Sequence, residues 1–190
     1  MENKYDKLNK AIDFATKAHL GIYRKGSKLP YIFHPMEVAK ITSSMTDDVD
    51  IVIAALLHDT IEDCPDINAD TIRREFGERV LDLILMETED KMPDERPEDT
   101  WLKRKADTIE SLKDAPIEAK IITLADKLAN LRDIYVDEIK MGEEVWNKFN
   151  VKDKKLHKWY YENIIAGLSE LEGEYAYREI LKYFNLVFGG

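Results

Sequence analysis

The stretch Ala54-Ala55-Leu56-Leu57-His58-Asp59-Thr60-Ile61-Glu62-Asp63 sets the strongest condition on how this chain can fold. Four aliphatic residues carry the backbone toward an interior, and the next six bring an imidazole and three carboxylates with them. Burying such groups is costly unless they are paired or hold a metal, so the fold must bring partners to His58 and Asp59. On a helix, residues three and four apart share a face. That spacing sets His58 over Glu62, and Asp59 over Glu62 and Asp63. Imidazole and carboxylate together suit a divalent metal, and two more carboxylates beside it suit work on a water. The stretch points to metal-assisted hydrolysis; its bland alternative is a helix end whose polar groups merely face solvent.

The rest of the chain reads as all-α. Its 190 residues are the length of one domain, and eight Gly and six Pro leave little room for the turns of an all-β fold. Leu8, Ala11, Ile12, Ala15 and Ala18 follow a helical period that should stop near Gly21. A basic loop, 23–30, follows. Pro35 suits the first turn of a helix from Met36 to about Ser43. Thr46, Asp47 and Asp48 offer caps for another, from Val49 to about Glu62. Helices are expected over 68–76 and 80–86, then a charged, Pro-bearing loop over 89–100. Further helices are expected from Trp101 to Leu112, from Pro116 through at least Leu131, from Trp159 to Leu171 and from Tyr175 to Phe188. The expected organisation is one domain over 1–190, with 136–190 a helical extension packed on it.

The formal net charge of −10 disfavours a nucleic-acid partner, whose binding runs on Lys and Arg meeting phosphates. It leaves room for a small polyanion if cations gather locally. No apolar run approaches a membrane span, and the start of the chain lacks the apolar core of a signal peptide. One cysteine, Cys64, fits a reducing cytoplasm, and with no second Cys or suitably spaced base it reads as a small structural thiol.

Two more residues complete a ligand set. His34 stands between Phe33 and Pro35, where few rotamers are left to lose; alone it would read as structural. Asp126 lies in the aliphatic helix face of Thr123-Leu124-Ala125-Asp126-Lys127-Leu128-Ala129-Asn130-Leu131-Arg132, with Asn130 one turn on. His34, His58, Asp59 and Asp126 would place two nitrogens and two oxygens around one ion and leave positions open for water and substrate.

These segments resemble the HD-domain metal-dependent phosphohydrolases, and most closely the hydrolase domain of the RelA/SpoT alarmone enzymes and the small alarmone hydrolases. Arg24-Lys25-Gly26 and Pro30-Tyr31-Ile32-Phe33-His34-Pro35 look like that family's R-K-x-G and P-Y-I-x-H-P. Residues 55–63 look like its A-L-L-H-D-x-x-E-D, and 124–133 like its L-A-D-K-L-x-N-L-R-D. The motifs run in the same order over about residues 5–135; the tail matches weakly.

The resemblance implies an all-helical HD domain and one divalent ion, usually manganese, held by His34, His58, Asp59 and Asp126. It implies that Glu62 and Asp63 orient or deprotonate the attacking water. Arg24 would lie against a guanine base, Lys25 and Lys28 would face phosphates, Asn130 would meet the ribose, and Arg132 would support that wall. The implied reaction removes the 3′-diphosphate of guanosine tetra- or pentaphosphate; no segment for alarmone synthesis is expected. Two other readings stand beside it: the same metal chemistry on another nucleotide or phosphate ester, and a nucleotide sensor without turnover. Glu62 and Asp63 argue against the sensor, which has no use for a water-activating pair. His19 reads as a buried, hydrogen-bonded histidine, His157 as solvated on a charged helix, and Trp159-Tyr160-Tyr161 as packing for the terminal helix.

Overall fold

The computed structural model describes residues 3–89, 91–92 and 94–189. Met1, Glu2, Asp90, Pro93 and Gly190, on which the expectations about the chain start and the 89–100 loop partly fall, lie outside the described residues. Ten α-helices are present among them: α1 (Lys4–Ala18), α2 (Phe33–Thr42), α3 (Val49–Leu57), α4 (Thr60–Asp63), α5 (Ala69–Phe76), α6 (Glu78–Glu87), α7 (Pro97–Lys113), α8 (Ile117–Met141), α9 (Lys154–Gly167) and α10 (Tyr175–Phe188). Short 3-10 segments occupy Gly142–Lys148 and Ser169–Leu171. Among the described residues the sole β pairing outside a helix is an isolated antiparallel bridge between Tyr23 and Pro30, which closes the basic loop. The fold is all-α, as the sequence predicts.

Local chemistry explains the boundaries. Asn3, Asp48, Asn68 and Asp153 cap α1, α3, α5 and α9 by accepting backbone N–H bonds from the first turn. Pro97 begins α7, where the missing N–H costs nothing. The 89–100 loop is therefore shorter than expected, because its last four residues form the first turn of α7. Gly142 ends α8 at φ +61°, in the left-handed region that favours glycine. Helix α2 starts at Phe33 rather than Met36, so Pro35 falls in its first turn, where no N–H partner is lost. Instead of one helix over Trp159–Leu171, the chain forms α9 from Lys154 and a separate 3-10 turn.

The expected continuous helix from Val49 to Glu62 is interrupted at His58-Asp59. Both residues keep right-handed backbone angles. The break comes from side chains competing for helix carbonyls: Thr60 Oγ1 donates to Leu57 O at 2.7 Å, and His58 Nδ1 lies 2.8 Å from Ala55 O.

Helix α8 is the axis. Ile122, Leu124, Ala125, Leu128, Ala129 and Leu131 are fully buried, and a helix apolar on all sides belongs inside a core. It packs against α2, α3, α6 and α10, while α1 lies on α3, and α9 packs on both α7 and α10. Because α8 runs to Met141, it passes through residue 136 without a break. This arrangement brings the start of α2, the α3–α4 junction and the middle of α8 to one place.

Candidate metal centre and catalytic cavity

His34 arrives on the first turn of α2, His58 and Asp59 at the α3–α4 junction, and Asp126 from mid-α8. Their polar atoms converge. His34 Nε2 is 3.1 Å from Asp126 Oδ1 and 3.7 Å from Asp59 Oδ2; His58 Nε2 is 3.1 Å from Asp59 Oδ2 and 3.7 Å from Asp126 Oδ1. His34, His58 and Asp126 are buried and offer ligand atoms within 4.8 Å of one another. Asp59 is not in that tightest group, but it meets both imidazoles.

The donor set fits a divalent cation. Ala55 O can only accept, so His58 Nδ1 carries the proton and donates to it. In the neutral ring that leaves Nε2 as the lone pair a metal would meet, buried and turned toward the Asp59 and Asp126 carboxylates. Separations of 3.1–3.7 Å are what ligands about 2.0–2.2 Å from one ion would span. The field agrees. Burial pulls the His58 imidazolium down, but Asp59 and Asp126 outweigh it and hold the group well above the ordinary His range. Burial pushes Asp126 up, yet Lys127, His34 and His58 keep it well below the ordinary carboxylate range. The carboxylates favour positive charge between them.

Each carboxylate is held from behind. Tyr31 donates its hydroxyl to Asp59 Oδ2 at 2.6 Å. Asn130 Nδ2 donates to Asp126 Oδ1 at 2.7 Å, and Lys127 Nζ to Asp126 Oδ2 at 2.6 Å.

Glu62 and Asp63, on α4, stand beside the cluster and share a counter-ion that the sequence did not suggest. Lys91 Nζ lies 3.1 Å from Glu62 Oε1 and 2.7 Å from Asp63 Oδ1. Burial raises Glu62, with Lys91 opposing, so its carboxyl is a better proton acceptor than an exposed glutamate. A carboxylate that the sequence did not suggest, Glu87, accepts from Thr123 Oγ1 at 2.7 Å and is pushed by burial, against the pull of Lys127, up to about 7.

A cavity of about 770 Å³ opens over these groups, within the range for small-molecule sites. Besides the metal cluster and the acidic pair, it is lined by Arg24, Lys25, Asn130, Lys91, Arg104, Lys105, Lys127 and Lys140. Glu87, Glu89, Asp133 and Asp137 line it as well, so bases and carboxylates balance there in a chain of net charge −10. Arg24 and Asn130 touch each other, Arg24 donating to Asn130 Oδ1 at 3.1 Å. Lys28 and Arg132 are not among the lining residues. Lys28 is exposed. Arg132 pairs with Glu37 at 3.2 Å and Glu179 at 3.6 Å, which ties α8 to α2 and α10. Tyr135 packs on Tyr183 with ring centres 5.7 Å apart.

His157 is buried, not solvated. It packs against Trp101, Trp146 and Phe149 and donates from Nε2 to Val151 O at 2.8 Å. Tyr160 and Tyr161 are buried as expected, and they also line the cavity. His19 is buried beside Cys64 Sγ at 3.5 Å, and burial pushes that thiol up to about 11, the state of an unreactive structural cysteine.

A helical bundle that converges two imidazoles and two carboxylates, with an acidic pair and a charged, base-bearing cavity beside them, is the frame of a metal-dependent phosphohydrolase. Comparison with known proteins agrees. The HD domain profile matches residues 11–149, and the chain belongs to that family. It is 36% identical over 156 residues to the human protein named guanosine-3′,5′-bis(diphosphate) 3′-pyrophosphohydrolase MESH1, covering 80% of this chain and 81% of that one. A solved structure described as a metazoan orthologue of SpoT that hydrolyses ppGpp superposes with a TM-score of 0.74 at 26% identity, covering 94% of each chain. A structure of lmo0812 from Listeria monocytogenes EGD-e superposes at 0.72 with 31% identity, over 83% of this chain and 99% of that one. Among the described residues, no helix is long and apolar enough to cross a membrane.

Proposed function

We propose that the chain is a guanosine 3′,5′-bis(diphosphate) 3′-pyrophosphohydrolase. The observation that carries this reading is the cavity in which His34, His58, Asp59 and Asp126, the Glu62–Asp63 pair and a set of lysines and arginines meet. A nucleotide with phosphates at both ends needs all three. The names of relatives that align over most of the chain support the substrate.

In this reading His34, His58, Asp59 and Asp126 hold one divalent ion, and the family resemblance favours manganese. When bound, the ion supplies Lewis-acid polarisation and charge neutralisation. Glu62 and Asp63 orient a water against the phosphorus attached to the 3′ oxygen and take its proton. The water oxygen bonds to that phosphorus, the bond to the 3′ oxygen breaks, and that oxygen takes the proton from the acidic pair and leaves as the 3′-hydroxyl. Diphosphate departs and the nucleotide keeps its 5′-diphosphate. Lys25 meets phosphate, Arg24 the base and Asn130 the ribose. Residues 136–190 act as part of the same domain, since α8 crosses residue 136 and α10 packs along it.

The test is product analysis after incubating manganese-loaded protein with guanosine tetraphosphate, beside Asp126→Ala. Diphosphate and guanosine 5′-diphosphate from the wild type alone support the reading. Turnover of other phosphate esters without turnover of this one transfers the site to another substrate.

A further inference from the structure

Arg24 sits where two arms meet, one hydrogen-bonded through Asn130 and one stacked through the Tyr31 ring. Its Nη2 donates to Asn130 Oδ1 at 3.1 Å and to Asp133 Oδ2 at 2.5 Å, and its guanidinium carbon stands 5.5 Å from the centre of the Tyr31 ring. Two of these three, Tyr31 and Asn130, grip the cluster-facing oxygen of a carboxylate. Tyr31 donates to Asp59 Oδ2, the oxygen 3.1 Å from His58 Nε2. Asn130 donates to Asp126 Oδ1, the oxygen 3.1 Å from His34 Nε2.

We propose that Arg24 is a positioning residue for the metal ligands: a brace with one arm through Tyr31 to Asp59 and the other through Asn130 to Asp126. The proposal rests on the metal reading of the cluster and goes beyond it, because it gives a residue of the nucleotide wall a role before any nucleotide arrives. A carboxylate free to rotate about χ2 spends little time with one oxygen aimed at a metal. A donor on that oxygen fixes the rotation, and losing such an outer contact typically weakens metal binding 10–100-fold. The arms are themselves held. Ring contacts with His19 at 5.0 Å and His34 at 5.7 Å restrain Tyr31, and Asp133 anchors Arg24 to α8. The consequence is coupling. A nucleotide that takes hold of Arg24 changes the grip on both carboxylates, so nucleotide and metal alter each other's affinity by the same factor.

The experiment is calorimetric titration of metal-free protein with Mn2+ and no nucleotide, for the wild type, His58→Ala, Tyr31→Phe, Arg24→Ala, Arg24→Lys and the Arg24→Ala/Tyr31→Phe double variant. Tyr31→Phe keeps the ring and every packing contact and removes one hydroxyl, so it should fold as the wild type does. It is expected to raise the manganese Kd about 10–100-fold, and Arg24→Ala about tenfold. The double variant should fall short of the product of the two, because the Tyr31 arm is common to both. Arg24→Lys, which keeps the charge but not the fork, should lose as much as Arg24→Ala. Wild-type affinity in Tyr31→Phe or Arg24→Ala, or full recovery in Arg24→Lys, overturns the brace while the metal site stands. A wild type that binds manganese no better than His58→Ala overturns the metal reading and the brace with it.

Discussion

Lys91 Nζ lies 3.1 Å from Glu62 Oε1, so the acidic pair proposed to activate water is held by a cation from the α6–α7 connection. Lys91 lowers the pKa of Glu62 against the rise caused by burial. Removing the cation should lift Glu62 further. A base acts only when ionised, so Lys91→Met should move the acid limb of the kcat–pH profile to higher pH. An unmoved limb would detach Lys91 from the base.

The acidic pair itself has a separable signature. Glu62→Gln and Asp63→Asn should each retain manganese by elemental analysis yet slow turnover by roughly a hundredfold or more, the scale of losing general acid–base help. Normal turnover in both, with metal retained, would remove them from that role.

Lys25 lines the cavity from the exposed basic loop and has no carboxylate partner among the described residues. Lys25→Ala should raise KM for a polyphosphorylated nucleotide about fivefold, corresponding to about 1 kcal/mol, with metal affinity unchanged. Raising the salt concentration should shrink the difference, as screening requires. A salt-independent KM effect would point to a packing role instead.

His157 gives the fold a pH dependence. Burial holds its folded pKa below the ordinary 6.5, with the bond to Val151 O and the field of Asp153 in partial opposition. Its contribution to stability is therefore present above 6.5 and is lost as pH falls from there through the folded value. His157→Gln cannot titrate. Thermal melts from pH 7.5 to 5 should show the wild type losing more Tm than the variant below about 6.5, and parallel curves would contradict this.

Leu128 is fully buried in α8, two residues from Asp126. Leu128→Ala should cost about 2–5 kcal/mol in denaturant unfolding, the usual range for a buried leucine. A cost below about 1 kcal/mol would mean that α8 is not the packing axis described above.

The metal cluster was legible because its residues contradict their surroundings. His58, Asp59 and Asp126 are polar groups set in aliphatic helix faces, and that mismatch needs no knowledge of the fold. The helices were legible from periodicity, and the start of α3 from Asp48, but Pro97, which opens α7, was read as part of a charged loop. What escaped notice pairs over long sequence distances. Lys91 meets Glu62 and Asp63 across 29 and 28 residues, and Arg24 meets Asn130 across 106. No local pattern marks such partners. His157 was misread because Lys154, Lys155 and Lys158 surround it in sequence, while the ring itself turns inward to Trp101 and Trp146. The interruption at His58 was missed because helical period cannot register a side chain that takes a backbone carbonyl.

The proposed reaction cleaves a 3′-diphosphate from a guanosine nucleotide in this cavity with the help of a metal. Its most direct measurement is mass analysis of products from guanosine 3′,5′-bis(diphosphate) in 18O-labelled water, with manganese-loaded protein and a chelated control. The expected result is diphosphate carrying the label, an unlabelled guanosine 5′-diphosphate, and neither product after chelation. Label on the nucleotide, loss of phosphate from the 5′ end, or full turnover in the chelated sample would contradict it.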